Sequence, residues 1–172
     1  MASTRLTATS FIVLGLLDQV GSASAYDLKT AVARSVGNFW SVPHSQLYRE
    51  VERLSKAGYL RRRREATSGG RPRDDYSLTN AGSAALAEWR DTPAEGLPQL
   101  RDPGLLKLFF GADPQRLAAD RLQAHRGNLE RYLELQRLDT GEGPRSIWLA
   151  LEAGVGHERE WIRFWSALAK AD

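Results

Sequence analysis

The side chains best equipped for chemistry in this 172-residue sequence form two runs of polar and basic groups. Ser41, His44, Ser45, Tyr48, Arg49 and Glu52 make up the first, and Arg61, Arg62, Arg63, Arg64, Arg71 and Arg73 bracket Gly69-Gly70 in the second. Hydroxyl, imidazole and guanidinium groups reach base edges or phosphates, and arginine also enters the minor groove of a duplex. Either run alone is also what a solvated surface carries. Their succession along the chain is what points to nucleic acid.

The elements that would position them follow from spacing. Leu47, Val51 and Leu54 form an inward stripe on a helix from Pro43, a residue suited to a first turn, to about Ala57, where Gly58 stops it. The polar residues of the first run then project from the other side, with Ser41 and His44 at the leading edge. After Gly58 the period changes: Tyr59 to Arg64 and Asp75 to Leu78 flank the glycine pair as two strands of a hairpin would. Upstream, Thr7 is placed to cap a helix with Val13, Leu16, Leu17 and Val20 on its inner face, ended by Gly21. Ser24 and Asp27 have capping-box spacing ahead of Leu28, Val32 and Val36, with Gly37 as the stop. Three helices followed by a hairpin make a winged helix-turn-helix, and Thr79 caps a fourth helix carrying Leu86 and Trp89. The expected division is a DNA-binding domain over 1–91 and a helical dimerisation and effector region over 92–172, so the fold class is mainly α.

In the second region a short helix is expected over Gly104 to Phe110, a long one from Asp113-Pro114 to about Asp139, and a last one from Arg145 to about Ala169. Leu122, His125, Leu129, Tyr132 and Gln136 are spaced 3, 4, 3, 4, as in a coiled-coil seam. The last helix holds more apolar groups than one buried stripe needs, among them Trp161, Phe164, Trp165 and Leu168. Leu122, Leu129, Tyr132 and these four are the expected dimer interface, since a two-fold operator calls for a two-fold protein. The same aromatics also suit a pocket for a small hydrophobic effector.

Charge is uneven. Residues 1–90 carry 13 Lys/Arg against 8 Asp/Glu, a balance of +5, whereas 91–172 carry 11 against 13, a balance of −2. With no cysteine in the chain, disulfides, thiol catalysis and Cys-based zinc sites are excluded, which suits a cytoplasmic protein. Three histidines without His-x-x-x-His spacing are a poor metal set, and no Gly-rich phosphate loop, G-x-S-x-G or H-E-x-x-H motif is present. No enzyme activity, cofactor or metal is expected. The longest strongly apolar stretch, Phe11 to Leu17, is far short of the roughly 20 residues that span a bilayer, so no membrane partner is expected either.

Trp40-Ser41-Val42-Pro43-His44-Ser45-Gln46-Leu47-Tyr48, followed by Arg53-Leu54 and Gly58-Tyr59-Leu60, resembles the recognition-helix region of the bacterial PadR family of transcriptional regulators. Gly70-Arg71-Pro72 and Tyr76-x-Leu78-Thr79-x-x-Gly82 resemble that family's wing and the start of the helix after it. The resemblance covers residues 7–90 and implies a homodimer paired through C-terminal helices, bound to a double-stranded operator and repressing transcription, with release by a small apolar or aromatic effector. It implies that Ser45, Gln46 and Tyr48 lie at the DNA face and Arg71 on the wing. Arg49 departs from the proline common in the family, and the wing is unusually rich in arginine. The competing reading, a winged-helix protein-interaction module, leaves that arginine run without a purpose.

Overall fold

The computed structural model describes residues 5–65, 73–94, 96–97, 99–141 and 143–170. The chain divides into two compact units, Met1–Gly96 and Leu97–Asp172.

In the first unit, α1 (Ala8–Val20) starts where the Thr7 hydroxyl accepts from the Ser10 amide while the Ser10 hydroxyl accepts from the Thr7 amide at 2.7 Å. Two of the four donors left over at a helix start are satisfied in this way. Strand β1 (Ser22–Ser24) leads into α2 (Ala25–Arg34), whose first turn is closed by the reciprocal Ser24–Asp27 box. The second helix stops two residues before the expected Val36. Val36–Asn38 form a separate 3-10 turn. Helix α3 (His44–Lys56) then precedes an antiparallel hairpin of β2 (Leu60–Glu65) and β3 (Arg73–Leu78), and α4 (Asn80–Asp91) follows with Thr79 as its cap.

The sheet has the order β1-β3-β2, with Ser22 opposite Ser77 and Leu60 opposite Leu78. Three residues are too few to show a period of two, so β1 had no sequence signal. Val13, Leu14, Leu17, Leu28, Val32, Leu47, Val51, Leu54, Leu60, Tyr76 and Leu86 build one core beneath the helices and the sheet. Val20, expected on the inner face of α1, is 58% exposed, because the chain turns away at Gly21 immediately after it. Trp89 is also exposed rather than buried; its ring stacks on Phe11 with centroids 4.7 Å apart. Two glycines hold the hairpin to this core. Gly58 takes φ 83° where α3 gives way to β2, and a Cβ on Gly82 would lie 2.3 Å from the Tyr59 carbonyl oxygen, so α4 approaches the base of β2 only because residue 82 has none.

The second unit consists of α5 (Pro103–Phe109), α6 (Pro114–Leu138) and α7 (Arg145–Leu168). Asp102 and Asp113 cap α5 and α6, each with proline in the first turn. Helices α6 and α7 run antiparallel: a Cβ on Gly154 would meet the Tyr132 ring at 3.1 Å, and Glu158 meets His125. Ala118, Leu122 and Trp165 are the buried centre, flanked by Leu105, Leu108, Leu117, Trp161, Ile162, Phe164 and Leu168. The α6 seam therefore packs in large part against its own chain. Among the described residues no helix is long and apolar enough to cross a membrane.

Candidate nucleic-acid interface

Helix α3 divides its surface between core and solvent. Leu47, Val51 and Leu54 are buried, while His44, Ser45, Gln46, Tyr48, Arg49 and the preceding Ser41 are exposed. No side chain caps its start at Pro43. The exposed N-terminal turn thus presents unbonded backbone N–H groups together with hydroxyl and imidazole groups, a combination suited to phosphate oxygens. Tyr48 keeps 39% of its surface exposed, so its ring is only partly drawn into the fold. Arg49 lies back along the helix, its Nε donating to the Ser45 carbonyl at 3.3 Å. The Gln46 amide is already committed on one side: Nε2 donates to the Thr9 hydroxyl of α1 at 2.9 Å.

One member of this helix went unread in the sequence. Glu50 is only 8% exposed and accepts from the Ser10 hydroxyl of α1 and from Arg53, whose Nε donates at 2.9 Å and Nη2 at 2.5 Å. Burial pushes the Glu50 carboxyl up, but the hydrogen bonds from Arg53 and Ser10 outweigh it and hold the group below the ordinary glutamate range. The signal was present: residue 50 lies three after Leu47 and four before Leu54, on the apolar stripe itself.

In the hairpin, Arg62 and Arg64 share a face with Leu60, opposite Tyr76 and Asp74, while Arg61 and Arg63 lie on the other face opposite Ser77 and Asp75. The strands do not treat these arginines alike. Arg62 Nη2 reaches Asp74 Oδ2 at 2.5 Å and Nη1 lies 3.7 Å from Glu52 of α3. Glu52 also accepts from the Tyr76 hydroxyl at 2.6 Å. Arg73 pairs with Asp75 at 2.8 Å and with Asp27 of α2 at 3.3 Å. The hydrogen bond from Arg62 holds the Asp74 carboxyl below the ordinary aspartate range, and the one from Ser24 does the same for Asp27. Burial, followed by the Glu52 hydrogen bond, pushes the Tyr76 hydroxyl up to about 12.

Two of the six arginines are therefore already neutralised by the protein's own carboxylates, and Glu52, read as free to project toward DNA, is tied to the wing. Arg61, Arg63 and Arg64 are exposed and form no ion pair among the described residues. Arg71 lies outside the described residues.

The residues expected at a dimer interface also divide. Trp165 has no exposed surface, and Leu122 and Tyr132 are buried, all three within their own chain, so they fill the α6–α7 core instead of facing outward. Leu129, Trp161, Phe164 and Leu168 are half-buried. The large apolar groups left bare in this unit are others: Phe109 is 82% exposed and Phe110 77%, with Leu106, Leu138, Ile147 and Leu149 also open. The reason lies in register, since α7 lies along the very seam of α6 that a second copy was expected to cover.

The transcriptional regulator PadR-like family matches residues 13–88. The negative transcriptional regulator PadR of Bacillus subtilis is 32% identical over 103 residues, which are 58% of this chain and 54% of that protein, so the match spans about half its length. The crystal structure of Bacillus subtilis PadR in complex with operator DNA superposes with a TM-score of 0.85 and 25% identity, covering 96% of this chain and 100% of the other. The structure of the same regulator with p-coumaric acid is similar in fold, at a TM-score of 0.75 and 21% identity over 96% of this chain and 97% of that one.

Proposed function

We propose that this chain, which belongs to the PadR-like family of transcriptional regulators, is a homodimeric, operator-specific repressor of the cytoplasm, without enzymatic activity, that a small apolar or aromatic effector releases from DNA. The observation that carries this reading is the pairing of α3 with the wing: Glu52 of α3 accepts from Tyr76 and lies 3.7 Å from Arg62. The start of this helix is uncapped and exposed, and the strand beside it carries three exposed arginines that form no ion pair among the described residues. A helix enters the major groove and reads base edges with residues near its start, here Ser41, His44, Ser45, Tyr48 and Arg49. Arginines beside it bind the flanking phosphates.

The division of labour follows. Residues 1–91 bind DNA and residues 92–172 dimerise, with the bare apolar groups of α5 and of the open ends of α6 and α7 covered by a second copy. Half-sites about 34 Å apart require two linked recognition helices. The Bacillus subtilis relative seen with p-coumaric acid suggests the chemical class of the effector, a small planar aromatic acid.

The test is fluorescence anisotropy with the duplex upstream of the protein's own gene beside a shuffled duplex, across a salt series. The expected result is a clear preference for the native duplex and an affinity that falls as salt rises. Binding to neither duplex at low salt would sink the regulator reading in favour of a protein-interaction module. A monomeric mass by sedimentation at micromolar concentration would remove the dimer.

A further inference from the structure

The arginine-rich wing looks uniform in sequence, yet its guanidinium groups have two kinds of surroundings. Arg62 joins three elements: it sits on β2, pairs with Asp74 on β3, and approaches Glu52 on α3, which is itself bonded to the Tyr76 hydroxyl. Arg73 makes the corresponding link from β3 to Asp27 at the start of α2. Among the described residues Arg61, Arg63 and Arg64 form no ion pair, and Arg64, opposite Asp74, adds only a Coulomb attraction to the carboxylate that Arg62 already bonds.

A phosphate that took Arg62 as a partner would have to displace a two-carboxylate arrangement and leave Glu52 and Asp74 facing the DNA unneutralised. No such exchange is needed at Arg63 or Arg64. The planar fork of arginine also suits bridging two acceptors at a fixed angle, which a lysine ammonium does not do. Across the Glu52–Tyr76–Arg62–Asp74 set, the recognition helix and both strands of the wing are held to one another by charge-assisted hydrogen bonds.

We propose that Arg62, with Glu52 and Tyr76, is a positioning residue that sets the angle between wing and recognition helix, while Arg61, Arg63 and Arg64 are the wing residues that neutralise phosphates. Arg73 is the second strut, tying the other strand to α2. The assignment rests on the DNA-binding reading above and refines it.

The two roles separate in the salt dependence of binding. Each phosphate contact contributes about 0.9 to the slope of log affinity against log salt, so a dimer losing one contact per protomer loses about 1.8. Arg64→Ala is expected to reduce the slope by about that much. Arg62→Ala is expected to weaken operator binding about tenfold, the effect of losing one charge-assisted hydrogen bond, with the parent slope retained. Two charge-preserving variants guard against misfolding or altered net charge as the cause. Arg62→Lys and Tyr76→Phe should both fold, as judged by thermal melting, and both should bind several-fold more weakly at every salt concentration, also with the parent slope. The proposal is overturned if Arg62→Ala lowers the slope as far as Arg64→Ala does, or if Arg62→Lys and Tyr76→Phe bind like the parent. A parent protein that binds no DNA at all is a different result. It refutes the regulator reading, and this assignment goes with it.

Discussion

Among the described residues each unit buries one glutamate at a helix–helix contact, and the two are partnered differently. Glu50 joins α3 to α1 through Ser10 and Arg53, and Arg53 is permanently charged and half-open to solvent. Glu158 joins α7 to α6 through His125 at 2.5 Å and Asn128 at 3.2 Å, and His125 is buried as deeply as the acid. Arg121 carries that network on to Asp102, the cap of α5, at 2.7 Å, while its Nη2 lies 3.4 Å from His125 Nε2. His125 Nδ1 faces Glu158, and because an arginine only donates, Nε2 can serve Arg121 only as an acceptor. The first pair is a local brace with one end in water, whereas the second threads the interior of its unit and touches all three of its helices. A brace of the first kind tolerates damage because water can replace the missing partner; the second has no such recourse.

That contrast can be broken or sharpened by substitution. The largest effect is expected at Glu158→Ala, which strands the buried His125 imidazole away from water; the cost is about 3 kcal/mol by urea denaturation. A loss below about 1 kcal/mol would mean that the His125 network contributes little. Glu50→Ala should cost less, about 2 kcal/mol, because Arg53 can rehydrate. Its consequence for function should nevertheless be the greater, since it removes one of the polar ties between α3 and α1, leaving that of Gln46 to Thr9. Operator affinity should therefore fall further in Glu50→Ala than in Glu158→Ala when both are compared at temperatures where each is folded. The reverse ranking would place the control of DNA binding in the second unit.

Acidification gives a smaller, graded effect. Because the Glu50 carboxyl is held below its ordinary value of 4.5, its contribution is complete above that value and is lost as pH falls through its lower folded value. The stability of the parent should decline below about pH 4.5, and that of Glu50→Gln should decline less over the same range. Parallel curves would exclude Glu50 as a source of the acid sensitivity. The smallest difference concerns the helix starts. Thr7→Ala and Asp113→Ala should each cost about 1 kcal/mol, the first in the unit that carries α3 and the second in the unit of α6.

Much of this architecture was readable along the chain, because the devices that start and stop its helices are local. Thr7, Ser24 and Thr79 cap where their spacing to Ser10, Asp27 and Gly82 places them, and the stripe of Leu47, Val51 and Leu54 sets the buried face of α3. The exposed start of α3 was equally legible. What escaped were features whose partners are distant in sequence. Strand β1 exists because Ser22 to Ser24 find β3 some fifty residues later. Glu50 is buried because Ser10 of α1 meets it, and Trp165 is buried because α7 folds back on α6.

The wing shows the boundary most plainly. The sequence by itself determined that four consecutive arginines enter a hairpin following α3, since alternation and glycine placement are properties of neighbouring residues. Which of the four meets a carboxylate was decided by the tertiary structure alone. Cross-strand register sets Arg62 opposite Tyr76 and within reach of Asp74, and the packing of α3 against the sheet brings Glu52 to the same place. A guanidinium in water and one between two carboxylates are identical in a sequence. They differ only through Coulomb attraction over a few ångströms, and those distances come into being when the chain folds.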